Sequence, residues 1–247
     1  MSATHAEGDL DYASSRVHAR HGTRLHEREW LRLESSRSLA HFLDTLKAGS
    51  FARWGTTLDP QADCHALERA LRAEWRRYVG EVTRWHPGGW QRWLGWLTWL
   101  PAIGLLARLA QPEPVPQWML ADPLLGPLAP GSPAERSVAL EKTSLAPLAA
   151  AVRERRPLVT EWRTHWRELA PVRDTATLDS IASLGRIAAS TADAESRRRP
   201  LARLYRAGAG TALASASHLL FVALDLERLR GGLAVRAVFP PSPAEAV

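Results

Sequence analysis

The sequence predicts an all-α protein, and three observations carry that prediction. Apolar residues recur at helical spacing almost from end to end. No stretch alternates as a strand does, and helix start and stop signals bracket the periodic segments. Composition agrees: 45% of the 247 residues are hydrophobic and 23% are charged, a globular balance with enough apolar mass for a sizeable core.

Leu10, Ala13 and Val17 share one helical face, and Gly22 ends that element. Trp30, Leu31 and Leu33 follow in a short helix behind Thr23. Leu39, Phe42, Leu43 and Leu46 then fall at i, i+3, i+4 and i+7, after the cap region at Ser35 and Ser36 and before Gly49. Leu67, Leu71, Trp75, Tyr78, Val82 and Trp85 make one long stripe between Pro60 and the stop signal Pro87-Gly88-Gly89. Trp93, Leu97 and Leu100 open the next helix, and Pro101 starts another through Ile103, Leu106 and Leu109.

Residues 111–133 change character, with prolines at 112, 114, 116, 123, 127 and 130 and glycines at 126 and 131. This composition marks a connecting segment. Trp118, Met119, Leu120, Leu124 and Leu125 are too apolar to hang in water, so the segment is expected to pack as a strap. Helix resumes at Ser132-Pro133-Ala134-Glu135, where serine and glutamate can cap reciprocally and proline fits the first helical position.

Helices are expected over 138–143 and 145–155, then on Leu158, Trp162, Trp166 and Leu169 as far as Pro171, and on Leu178, Ile181, Leu184 and Ala188. The run Arg197-Arg198-Arg199-Pro200 reads as a corner. The last long segment, about 201–229, has a break at Gly208 and Gly210, and Gly231-Gly232 marks another. The expected division is an N-terminal helical bundle over 1–110, the strap over 111–133 and a C-terminal bundle over 134–247.

Of the 32 basic residues only Lys47 and Lys142 are lysine, and the net charge is +6. The arginines are spread along the chain and interleave with glutamates, as at Glu27, Arg28 and Glu29 or at Glu68, Arg69, Arg72 and Glu74. That pattern is a solvated face rather than a basic stripe, and nucleic acid is not expected as a partner. The single cysteine, Cys64, excludes an internal disulfide framework and a multi-cysteine metal site. The first thirty residues lack the apolar run of a signal peptide. The apolar run 93–107 contains Thr98 and Pro101 and is shorter than the roughly 20 residues a bilayer span needs; 207–224 is interrupted by His218, serines and glycines. The expected location is cytoplasmic, with peripheral contact at the inner face of a membrane.

Catalytic and ligand motifs fail on geometry. His18, His21 and His26 straddle Gly22, and His26-Glu27 lacks the second zincin histidine, Trp30 standing in its place, so no metal is expected. Cys64 and His65 are neighbours roughly 100° apart on a helix, poor placement for a nucleophile and its base. Gly208-Ala209-Gly210-Thr211 lacks the preceding strand, the third glycine and the lysine of a phosphate loop. No catalytic residue and no cofactor follow from these motifs.

Interaction candidates are better. Trp85, Trp90, Trp93, Trp96 and Trp99 cluster; Trp93 and Trp96 can share a face, whereas Trp93 and Trp99 sit about 240° apart. Such a helix is buried all round or presents an aromatic face to a partner. Core is the first reading, with Trp93 and Trp96 as partner-binding candidates. Asp225, Glu227, Arg228 and Arg230 form a charged segment after an apolar run. Its acids are expected to pair with the nearby Arg228 and Arg230, and the segment is a second candidate interface.

The order of the N-terminal half carries a resemblance. It runs Asp11-Tyr12-Ala13, Arg16-Val17-His18-Ala19-Arg20, a glycine stop, Leu25, Glu29-Trp30-Leu31-Arg32-Leu33, and Leu39-Ala40-His41-Phe42-Leu43-Asp44-Thr45-Leu46. Phe51-Ala52-Arg53-Trp54 and a helix with Leu67-Glu68-Arg69-Ala70-Leu71-Arg72 follow. This resembles the opening of the C/d family of subunits in archaeal (A-type) and vacuolar (V-type) rotary ATPases. Ala223-Leu224-Asp225-Leu226-Glu227-Arg228-Leu229-Arg230 is similar to that family's late helix. The likeness covers roughly the first 85 residues and, in looser form, the last 40.

The resemblance implies a funnel-like body of related, pseudo-repeated helical bundles, seated on the cytoplasmic face of the rotor ring and receiving the central stalk. It implies a non-catalytic subunit that transmits torque, with other ATPase subunits as partners and anionic lipid as a further contact. The chain is shorter than a usual member and proline-rich in the middle, as if one bundle were reduced. The alternative is a stand-alone cytosolic helical scaffold or assembly factor with a protein partner.

Overall fold

Short polar side chains set where the helices begin, by accepting hydrogen bonds from first-turn amides that have no partner within the helix. Ser38 accepts from His41 N, Asp63 from Ala66 N, Asp174 from Thr177 N and Thr211 from Leu213 N. Ser132 and Glu135 form the reciprocal capping box. The computed structural model describes residues 3–239, with side chains from Leu10 onward. In chain order its helices are α1 (Ala3–Gly22), α2 (Glu27–Glu34), α3 (Leu39–Ala48), α4 (Cys64–Arg84), α5 (Gly88–Gly95), α6 (Ile103–Leu106) and α7 (Gln117–Leu120). They continue with α8 (Pro133–Glu141), α9 (Ala146–Arg153), α10 (Leu158–Glu168), α11 (Thr175–Ala188), α12 (Ala194–Ala207) and α13 (Ala212–Val238). The protein is all-α, with no strand among the described residues.

The helices fall into two units, and the division differs from the one expected along the sequence. One unit joins the described residues up to Pro87 with those from Tyr205 onward; the other is Gly88–Leu204. The reason is that α13 returns to the N-terminal elements and packs on α1, α3 and α4. The stripes read from the sequence supply that core: Ala13 and Val17, then Leu39, Phe42, Leu43 and Leu46, then Leu67, Leu71, Trp75, Tyr78 and Val82 are all buried. Trp85, at the end of its stripe, is only half-buried. Opposite them α13 buries side chains on nearly every side from Ala212 to Leu226, which hides its amphipathic period. Each large apolar side chain so buried contributes about 1.5–3 kcal/mol relative to exposure.

α13 also runs unbroken through Gly231 and Gly232, where a break was expected. Packing against α3 outweighs the weak helix propensity of two glycines, about 1 kcal/mol each. The expected corner at Arg197-Arg198-Arg199-Pro200 likewise lies inside a helix, α12. Pro200 stands in the second turn, where it lacks the amide that would bond the Ser196 carbonyl and its ring crowds that carbonyl.

In the second unit α8 and α9 form a hairpin, α9 packs on α10, and α10 packs on α11 and α6. The Ser137 hydroxyl donates to the Ala149 carbonyl at 2.8 Å across the hairpin. Gly88–Ala110 is a continuous helical stretch of 23 residues alternating α and 3-10 turns. By length and composition it could cross a membrane, yet half of its most apolar 18-residue window is buried within the protein, as in a core helix.

The strap is part of the second unit rather than a separate segment, and it packs as its apolar residues demand. Met119, Leu125, Leu128 and Ala129 are buried, while Leu120 is exposed. Buried Arg136 clips both ends, donating to the carbonyls of Leu109 and Gln111 on one side and Ala129 on the other. Asp122 accepts from the amides of Leu124 and Leu125, closing the turn. At Gly126 a Cβ would lie 2.3 Å from the Leu120 carbonyl oxygen, so only glycine fits.

Candidate functional site

The first unit holds a buried polar layer where α1 meets α13. His218 lies fully buried in the apolar run of α13 and bonds through Nε2 to the Tyr78 hydroxyl at 2.7 Å and through Nδ1 to His21 Nδ1 at 3.3 Å. The Tyr205 hydroxyl bonds His18 Nδ1 at 2.7 Å, and the Tyr205 ring stacks on His21 with centroids 4.0 Å apart. The hydroxyl of Tyr78 has no other acceptor among the described residues, so it donates to His218 Nε2. His218 Nδ1–H then donates to His21 Nδ1, and both rings are neutral. Burial, reinforced by the Arg24 charge, lowers His21 to about 4. Burial and the neighbouring His21 and Arg24 push His218 well down, and burial raises Tyr78 to about 12. His86 follows the same logic nearby: its Nδ1–H donates to the Val82 carbonyl at 3.0 Å, its Nε2 accepts from the Ser215 hydroxyl at 2.9 Å, and burial lowers its pKa.

Beside this layer sits an ion pair between distant parts of the chain. Arg24, in the turn after α1, donates from Nε and Nη2 to the two carboxylate oxygens of Asp225 at 2.7 and 3.0 Å. The Asp225 side chain is 0% exposed and that of Arg24 14%. The guanidinium also lies 4.4 Å from the Phe221 ring centroid. This corrects the expected pairing of Asp225 with its sequence neighbours Arg228 and Arg230.

Those two arginines point elsewhere. Arg228 donates to both Glu27 and Glu34, the two ends of α2, at 2.6 to 2.9 Å, and lies 4.8 Å over Trp30. The bonds to Glu34 and Glu27 raise its pKa. Arg230 donates to Glu68 of α4 at 2.5 Å. Further along α13, Arg236 donates to the carbonyls of Glu34 and Ser36 at the end of α2. Of the four candidate charges only Glu227 is an acid on the exposed side. The segment is therefore first an internal clasp, not a free interface.

The tryptophan candidates lie in the second unit and are also interior. Trp93 is fully buried and Trp96 is 6% exposed. Trp93 stacks on Trp166 with centroids 5.0 Å apart and planes 1° from parallel, and Trp166 stacks on Trp162. The Trp166 indole N–H donates to the Trp93 carbonyl and that of Trp96 to the Trp162 carbonyl. The reading of Trp93 and Trp96 as partner-binding side chains is corrected to core, because α10 supplies the aromatic surface that covers them.

Among the described residues no group of three or more His, Cys, Asp or Glu is placed to hold a metal ion. Cys64 opens α4, capped by Asp63, and is half-buried. What the polar layer does is join early and late segments of the chain through neutral side chains whose burial resists protonation. Sequence reasoning weighed His18 and His21 as metal ligands, read Tyr78 as part of an apolar stripe, and passed over Arg24 and Tyr205. The usable signal was His218 followed by Asp225: two polar residues at the heart of an apolar run require buried partners. No family model, no curated protein and no solved structure matches the chain.

Proposed function

We propose that this chain is a non-catalytic subunit, or a diverged relative, of a vacuolar/archaeal-type rotary ATPase, bridging the central stalk and the membrane rotor ring. One observation carries the reading. The two stretches that resemble the C/d family, the beginning and the end of the chain, are the stretches that fold into one unit. Within the late stretch that bears the likeness, 223–230, Asp225 and Arg228 bind back to Arg24, Glu27 and Glu34 of the opening. A part that transmits torque has to resist separation of its helices, and bidentate ionic clasps between distant segments suit that task. On this reading the partners are other subunits of the ATPase, with anionic lipid beside the ring, and the chain is peripheral on the cytoplasmic face. The test is to remove the chain from its host and assay membrane vesicles. ATP hydrolysis should persist while ATP-driven ion pumping is lost; pumping that is undiminished contradicts the proposal.

A second reading, a stand-alone cytosolic scaffold or assembly factor, draws on a different observation. Trp93, Trp96 and Asp225 are interior, and Arg228 and Arg230 are engaged within the chain. None of them is left over to meet a rotor. Undiminished pumping together with a purely soluble complex would favour this reading.

A further inference from the structure

We infer that the groove between α10 and α11 in the second unit docks an acidic amphipathic helix of a partner protein. The inference stands apart from the rotary-ATPase reading, since it rests on this groove alone. The groove is an open trough of about 510 Å³. Its floor is Leu178, Ile181, Ala182 and Gly185, the i, i+3, i+4, i+7 stripe of α11. Those positions span about 10 Å, two helical turns, which is the repeat an incoming helix presents with its own apolar anchors. Gly185 lies against α10, where a Cβ would sit 3.6 Å from Arg163 Cγ and 3.7 Å from the Trp166 ring, so the accessible part of the floor is Leu178 and Ala182.

Charge selects among helices. Arg163 and Arg167 stand one turn apart on α10 along one wall, and Arg173 stands at the mouth. Like charges at this spacing repel by a few tenths of a kcal/mol on an isolated helix, so the pair is not there for local stability. The contrast with the first unit is sharp: Arg20, Arg24, Arg53, Arg228 and Arg230 each grip a carboxylate of their own chain. Among the described residues Arg163 and Arg167 have no such partner, and Arg173 donates to the backbone carbonyls of Ala170 and Val172. The one acid of the groove, Glu168, faces His165 at 3.5 Å. An apolar floor under unpaired arginines is complementary to a helix with leucine-like anchors flanked by glutamate or aspartate. A small anion would leave the floor wet, since ligand pockets bury most of their ligand, and a flat bilayer surface cannot fill a trough.

The test places a photo-crosslinking residue, p-benzoylphenylalanine, at exposed Thr164 of the full chain in its own cells, with the same residue at exposed Thr57 as the control position. Adducts are digested and sequenced. The expected result is an acidic segment with apolar residues at helical spacing, captured at Thr164 and not at Thr57. Its yield should fall at least about tenfold with R163E/R167E, and also with R163Q/R167Q, which removes charge without reversing it. A synthetic peptide of the captured sequence should bind the purified chain, and its Glu→Gln version should bind at least about tenfold more weakly. Capture no greater than at Thr57, a lipid adduct, a neutral or basic segment, or a yield unchanged in both variants while the helical circular dichroism is retained overturns the inference.

Discussion

Arg24 and Asp225 stand 201 positions apart in the chain and meet through two hydrogen bonds of 2.7 and 3.0 Å, with the carboxylate wholly buried. The pair joins the turn after the first helix to the centre of the last. It closes the first unit at the point where its two chain segments must find each other. A buried pair contributes little net stability relative to an apolar replacement, but removing one partner strands the other charge.

Asp225→Ala should therefore cost about 3–5 kcal/mol in urea unfolding. The double variant R24M/D225L should be distinctly more stable than D225A alone. If both variants lose the same amount, or D225A loses less than about 1 kcal/mol, the pair is not the joint described above.

The buried histidines make stability depend on pH with a definite sign. His21, His86 and His218 are lowered in the folded chain, His21 to about 4, from an ordinary value of 6.5. As pH falls below 6.5 the unfolded chain takes up protons that the folded chain refuses, so stability is lost; the His21 contribution to that loss levels off below about 4. For fully buried His218 the slope reaches up to about 1.4 kcal/mol per pH unit. Melting between pH 6.5 and 5, above the carboxylate range, should show the decline, and H218F should flatten it. A wild-type melting temperature constant over that window contradicts the neutral-histidine layer.

Two adjacent glycines in α13 should respond in opposite directions. A Cβ at Gly231 would meet nothing within 4 Å, so Gly231→Ala should stabilise by up to about 1 kcal/mol. At Gly232 the Cβ would lie 2.9 Å from Cζ of Phe42, a fully buried ring, and Gly232→Ala should cost about 1–3 kcal/mol. Equal effects at the two positions would mean that α13 does not approach α3 as described.

Trp93→Ala should cost about 3–5 kcal/mol, because it empties a stacked aromatic site. Trp93→Phe should cost clearly less. Its indole N–H is buried without a hydrogen-bond partner, so the change removes an unpaired donor together with the lost volume. Chemical denaturation of both variants checks this, and unchanged stability of Trp93→Ala would return Trp93 to the surface.

Local patterns were legible in the sequence wherever one face of a helix does the packing. The Leu39, Phe42, Leu43, Leu46 set and the Leu67 to Val82 stripe are buried as their spacing requires, and the Ser132–Glu135 cap forms as read. Illegible were the features made by partners far along the chain. Asp225 pairs with Arg24 rather than Arg228, and Arg228 with Glu27 and Glu34, because α13 returns to the opening helices. Nothing in the spacing of 225–230 announces that. The same return explains why the division at residue 110 failed and why Gly231 and Gly232 do not break the helix. Trp93 and Trp96 were ambiguous on one helix alone, since a helix aromatic on several sides is settled only by what covers it, here Trp162 and Trp166.

The most direct test of the proposed role is affinity purification of the tagged full chain from gently solubilised membranes, with mass spectrometry of the proteins that accompany it. The account predicts recovery of rotor-ring and central-stalk subunits of a rotary ATPase in a fixed ratio to the chain. A chain recovered alone, or with cytosolic proteins unrelated to such a machine, contradicts it.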